Sequence, residues 1–284
     1  MEIKLFSFWH LFFILVAVVF CVVLYFILRN KSDKTKKTTL LIFLLLGLIL
    51  HFLKVFIPPY STNIEIWFRE GWFTNICAAN ILLFPFILLS KSDKAKDYMF
   101  YLGLLGGGIA ILYPLEVFQK ANQTAEWLDI LRFYYHHITI FAIPLLMVIL
   151  KFHKLNYKRV LWVPIYFSAV LAFIMVNQIL QSELGYVALR NSDFLNINYK
   201  NSSLIWGPGN EPVGKIFTVV CPNIFKTVPV GAYAGQVKYW PLIWLIVPIY
   251  VYVVPLSFLF CLIFDFKHFK SDITNIFNKK FKQN

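Results

Sequence analysis

Apolar residues fill this chain in long unbroken blocks, separated by short polar segments. Seven blocks stand out: Leu5–Leu28, Leu40–Ile57, Trp72–Leu89, Met99–Phe118, Phe133–Leu150, Val160–Leu180 and Pro241–Phe264. A membrane-crossing helix needs about 20 apolar residues, within a range of roughly 17–25. The blocks have that length. They lack the ten-residue alternating segments that a membrane barrel requires. The pattern predicts an all-α polytopic bundle of about seven transmembrane helices, forming a single transmembrane domain over 1–284. No small-residue cleavage pattern ends the first block, which is therefore expected to stay as an anchor. One polar connection is long, 181–240. It holds Gly207-Pro208-Gly209 and a semi-apolar stretch, Val213–Val230, broken by Pro222 and Pro229. That stretch reads as a re-entrant element or an external cap.

Composition agrees. The chain is 59% hydrophobic and 14% charged, against roughly 25% charged in a soluble domain. The net charge of +13 would suggest nucleic acid in a soluble protein. Here the basic residues sit between the blocks, so no nucleic-acid partner is expected. Loops 29–39, 90–98 and 151–159, together with the tail beyond Phe264, carry most of the 27 Lys and Arg. Seven spans put all four segments on one side, and the positive-inside rule makes that side cytoplasmic. The N-terminus is then outside and the C-terminus cytoplasmic, with the protein in the cell membrane. Trp67, Trp72, Trp240 and Trp244 fall near the outer boundary, where interfacial aromatics belong.

Polar side chains inside the blocks carry the functional signal, because such groups are costly in a membrane. His10 comes early in the first block, and His51 and Lys54 late in the second. Asn75, Cys77 and Asn80 open the third, and Glu116 closes the fourth. His136 and His137 open the fifth, and Asn177 and Gln178 close the sixth. In this topology all lie in the outer half, roughly 2–12 Å below the outer surface at about 1.5 Å per residue. A transport path should carry polar groups on both sides of the midplane. The one-sided distribution favours a site open to the outer leaflet.

Each residue also has a plain structural reading. Lys54 can snorkel to the interface, Glu116 can pair with it, and the amides can join helices. Gly106-Gly107-Gly108 reads as a close-packing surface and the Pro241, Pro248, Pro255 series as a kinked helix. Cys77 and Asn80 share a helix face. His136 and His137 are about 100° apart, so only one is expected to point fully into the bundle. A cysteine beside a histidine suits nucleophilic acyl chemistry: the histidine takes the thiol proton and the thiolate attacks an ester. An amide such as Asn80 or Asn177 would serve the oxyanion.

Asn75-Ile76-Cys77 followed by Pro85, and Tyr134-Tyr135-His136-His137 with Pro144 seven residues beyond His137, resemble the YwaF-like integral membrane family. Its animal relatives include an ether-phospholipid acyltransferase. A more distant similarity is to the androgen-induced hydrolases of fatty-acid esters of hydroxy fatty acids. The resemblance implies Cys77 as acyl-accepting nucleophile and His137 as its base, with His136 the second choice. Members often carry a histidine two residues before the cysteine, where this chain has Asn75.

The expected activity is acyl transfer to or hydrolysis of a phospholipid or related acyl lipid. Cys77, His137 and His136 would be catalytic, and Asn80, Glu116, Asn177, His10, His51 and Lys54 would line the substrate. No metal and no cofactor are expected. The alternatives are a small-solute permease and a lipid-binding membrane protein without catalysis.

Overall fold

The computed structural model describes residues 3–57, 60–62, 67, 71–114, 127–185, 202–209, 212–227 and 234–281. It is an all-α bundle. Its helices are α1 (Phe8–Leu28), α2 (Asp33–Leu53), α3 (Ile76–Leu89), α4 (Asp93–Leu102), α5 (Gly108–Leu112), α6 (Trp127–Ile149), α7 (Val163–Glu183), α8 (Pro212–Val220) and α9 (Ile243–Phe281). Among the described residues five helical stretches are long and apolar enough to cross a membrane: Phe8–Leu28, Asp33–Phe56, Trp127–Ile149, Tyr157–Glu183 and Ile243–Ile276. The shorter apolar α3 and the interrupted run through α4 and α5 pack among them.

Helix starts follow local chemistry. Ser32 caps α2 at the Thr35 amide (3.2 Å) and Ser92 caps α4 at the Ala95 amide (3.2 Å). Each cap is followed by an aspartate in the first turn, Asp33 and Asp93. The same tetrapeptide, Lys-Ser-Asp-Lys, occupies 31–34 and 91–94, so one capping signal is used twice. The serine oxygen satisfies an orphan amide and the carboxylate sits at the positive end of the helix dipole. Asn75 caps α3 at the Ala78 amide, 2.8 Å away. The third helix therefore begins at Ile76, four residues later than the apolar block.

Two expectations about helix shape change. The glycine segment becomes a π-helical turn, Gly103–Gly107, between α4 and α5. A Cβ at Gly107 would stand 2.9 Å from the His137 carbonyl, and one at Gly103 would stand 2.6 Å from the Ile140 carbonyl. Pro144 has no N–H to give Ile140, and that carbonyl lies over Gly103 instead. The glycines thus let α6 approach closely, as a small-residue surface should. In α9 the backbone leaves helical geometry at Asp265 (φ −122°), where the carboxylate accepts from the Tyr157 amide at 3.2 Å. Helix continues past the last apolar block to Phe281, because the polar tail is paired to the 151–159 loop rather than released.

The core lies between α2, α3, α4, α6 and α7, with Leu40, Leu44, Phe84, Leu88, Met99 and Met147 fully buried. The outer surface is the reverse of a soluble protein. Leu15, Val19, Val23, Phe26 and Ile27 of α1 are exposed in a continuous apolar face. A lipid environment is the solvent that suits such a face.

Candidate functional site

One end of the bundle gathers polar side chains from α2, α3, α6 and α7. α6 brings His136 and His137, held close to the π-turn by the Gly107 contact. Both rings are buried, His136 at 4% and His137 at 7% exposure. The expectation that only one would point inward is corrected. The rings lean together, with centroids 5.1 Å apart and planes 29° apart, so both adjacent residues face the interior.

Their hydrogen bonds differ. His136 Nε2 lies 3.0 Å from the Cys77 carbonyl, so it carries the proton and donates. Its Nδ1 is buried without a hydrogen-bond partner. His137 Nδ1 lies 2.8 Å from the Phe133 carbonyl and donates to it. That leaves His137 Nε2 as a bare lone pair, the form a general base requires. The bond that joins the histidine pair to Cys77 thus runs through His136 and the cysteine backbone.

Cys77 occupies the first turn of α3, half-buried and free of disulfide. The amide before it, Ile76 N–H, donates to Ser203 Oγ at 3.1 Å. Ser203 and Leu204 both have positive φ (70° and 62°), a costly conformation for residues with side chains. The 202–206 segment is wedged into the bundle, with Ile205 and Trp206 fully buried. Trp206 Nε1 donates to Gln178 Oε1 at 3.0 Å, and Trp244 Nε1 to the Leu204 carbonyl at 3.0 Å. The 202–206 segment therefore roofs the cysteine end of α3. The later part of the long connection, α8, packs against α9 through stacked Phe217 and Tyr252 rings, 5.5 Å apart.

Asn80 is buried one turn below Cys77, where its Oδ1 accepts from Tyr98 Oη at 2.6 Å. Asn177 Oδ1 accepts from Trp72 Nε1 at 3.1 Å, while its Nδ2 is buried without a partner. His51 is buried, stacked on Phe73 at 5.2 Å and edge-on to His136 at 6.2 Å. Neither of its nitrogens reaches hydrogen-bond geometry, although the Gly71 and Trp72 backbone lies alongside.

His51, His136, His137 and Cys77 therefore form one neighbourhood, with Asn80 beneath Cys77. His10 bonds elsewhere. Its Nδ1 accepts from the Phe6 amide at 3.0 Å and its Nε2 donates to the Ile111 carbonyl at 3.3 Å, which ties α1 to α5. Lys54 does not snorkel. It is 5% exposed, with its ammonium 5.4 Å from the Tyr60 ring centre. Glu116 lies outside the described residues. Among those residues no group of three or more His, Cys, Asp or Glu is arranged to hold a metal ion.

Sequence reasoning missed a second cluster beside this one. Asp129 is buried at the start of α6, where it accepts from Tyr60 Oη at 3.0 Å and pairs with Arg132 at 2.6 Å. Both precede the fifth apolar block, so the block boundary hid them. Their three-residue spacing on a helix was the available signal. Beside Arg132 runs an apolar groove of about 410 Å³ between α1, α2 and α6, lined by Phe13, Phe20, Leu50, Tyr135 and Ile138.

The TMEM164 family model, which describes a family of membrane proteins, matches residues 5–227. The chain belongs to the TMEM164 family. It is a multi-pass membrane protein, and the match covers the cysteine, both α6 histidines and the roofing segment. No curated protein and no solved structure matches the chain.

Proposed function

We propose that this TMEM164-family protein moves or hydrolyses a fatty acyl group of a membrane phospholipid or related acyl lipid, with Cys77 as nucleophile and His137 as base. The observation that supports this reading is a half-buried, disulfide-free cysteine whose backbone carbonyl accepts from the buried His136, next to a buried His137 whose tautomer is set for base work. The first-turn position of Cys77 favours negative charge on the attacking sulfur. His137 Nε2 takes the thiol proton. The thiolate adds to the ester carbonyl, the C–O bond breaks, and the proton passes to the departing lysolipid oxygen. The thioester is then cleaved by a lipid hydroxyl or by water, which restores the thiol. Asn80, one turn below Cys77, and Asn177, with its unpartnered Nδ2, are the amide donors assigned to the oxyanion, and the groove beside Arg132 offers an apolar bed for an acyl chain. The site lies in the outer half of the cell membrane, by the same charge asymmetry that sets the termini.

The test is lipid turnover by purified protein in phospholipid vesicles. Wild type should form lysolipid or acyl-exchanged lipid, Cys77→Ala should abolish it, and a lipid-like electrophile should label Cys77. Equal labelling of wild type and Cys77→Ala would remove the thiol mechanism.

A further inference from the structure

The opposite, lysine-rich end of the bundle holds a second concave site. Here α4, the loop 151–156 and α9 enclose a pocket of about 450 Å³ lined by Lys151, Lys154, Arg159, His153, His268 and Asp93. Its floor is fixed by Asp97, which is fully buried. One Asp97 oxygen lies 2.8 Å from His153 Nε2, and the other 2.6 Å from Arg159 Nε. Arg159 also reaches Asp93 at 3.2 Å and the Lys154 carbonyl at 2.6 Å. The far wall is pinned as well: Tyr157 Oη donates to Asp272 at 2.7 Å, and His268 Nδ1 lies 3.1 Å from Asp265.

Against this rigid frame Lys151 and Lys154 are exposed, and among the described residues neither has an ion pair. Three permanent cations and one carboxylate therefore line the pocket. Its volume falls in the range of small-ligand sites, about 300–1,000 Å³. Exposed Leu161 and Trp162 lie next to Arg159 in the chain, and Lys94 sits 3.2 Å over the Trp162 ring. The pocket thus lies where interfacial aromatics meet lipid headgroups.

We infer that this pocket binds the phosphate of an anionic phospholipid headgroup, separately from the cysteine site. Basic pockets between helices recognise such headgroups through charge-assisted hydrogen bonds, and the pinned walls lower the ordering cost.

Native mass spectrometry of the detergent-purified full chain tests it, with phosphatidylglycerol and phosphatidylcholine offered together. Wild type should retain phosphatidylglycerol over phosphatidylcholine by roughly fivefold or more. Lys151→Gln with Lys154→Gln should bring that ratio close to one. Lys34→Gln with Lys37→Gln, in the first turns of α2 outside the pocket, should preserve it. Equal loss in both variants, or no preference in wild type, would overturn the site in favour of diffuse attraction. Retention that survives millimolar inorganic phosphate supports the lipid as the source. Displacement by phosphate would overturn the lipid assignment in favour of a soluble anion.

Discussion

At the residue scale two adjacent histidines divide the labour. His137 keeps a bare Nε2, whereas His136 spends its proton on the Cys77 carbonyl and has Nδ1 sealed in the core. His137→Ala should lower the acylation rate by about 10²–10⁴-fold, the usual span for a lost general base. His136→Ala should instead loosen the start of α3, so that a fall in activity comes with a lower unfolding temperature. Single-turnover kinetics alongside thermal melts separate the two effects.

Asp129 makes a different prediction. Asp129→Ala leaves the partly buried Arg132 without its carboxylate, at a cost of up to about 3 kcal/mol. Asp129→Ala with Arg132→Met should recover much of it, as read by thermal unfolding in detergent. The sequence exposed Cys77, His51, His136 and His137 because polar groups stand out in an apolar run. It could not reveal Tyr98 behind Asn80 or Ser203 above Ile76. Those partners are 18 and 127 residues away, and only the fold brings them together.

At the element scale the helices were legible, and their irregularities were legible only in part. Long apolar blocks announce α1, α2, α6, α7 and the first part of α9. The glycine triplet announced close packing, but a π-turn depends on how tightly α6 must fit, which no local pattern encodes. The continuation of α9 to Phe281 was hidden for a similar reason, since Asp265 and Asp272 find their partners on the 151–159 loop. The glycine contact has a measurable consequence. Gly107→Leu forces side-chain atoms against the His137 carbonyl and the Phe141 amide, each 2.9 Å from the position of a Cβ. Destabilisation of about 1–3 kcal/mol is expected, together with displacement of both α6 histidines and loss of activity. Gly106→Ala, where nothing lies within 4 Å of a Cβ, should be close to neutral in the same melts.

At the scale of the whole molecule two ends with different chemistry face each other across an apolar bundle. One end carries buried histidines, amides and the cysteine. The other carries lysines, arginine and carboxylates in ion pairs. The charge asymmetry predicts that Lys34→Cys, placed in an otherwise cysteine-free chain, resists membrane-impermeant maleimide in intact cells and reacts after lysis. Labelling of intact cells would reverse the orientation and move the cysteine site to the inner leaflet.

In the proposed reaction Cys77 carries an acyl group during turnover. The most direct measurement is acid-quenched peptide mass spectrometry of purified protein after incubation with phospholipid vesicles. A fatty-acyl thioester is expected on the Cys77 peptide, released by neutral hydroxylamine and strongly reduced in His137→Ala. Lipid product formed at full rate by Cys77→Ala, with no acyl adduct on wild-type Cys77, would contradict it.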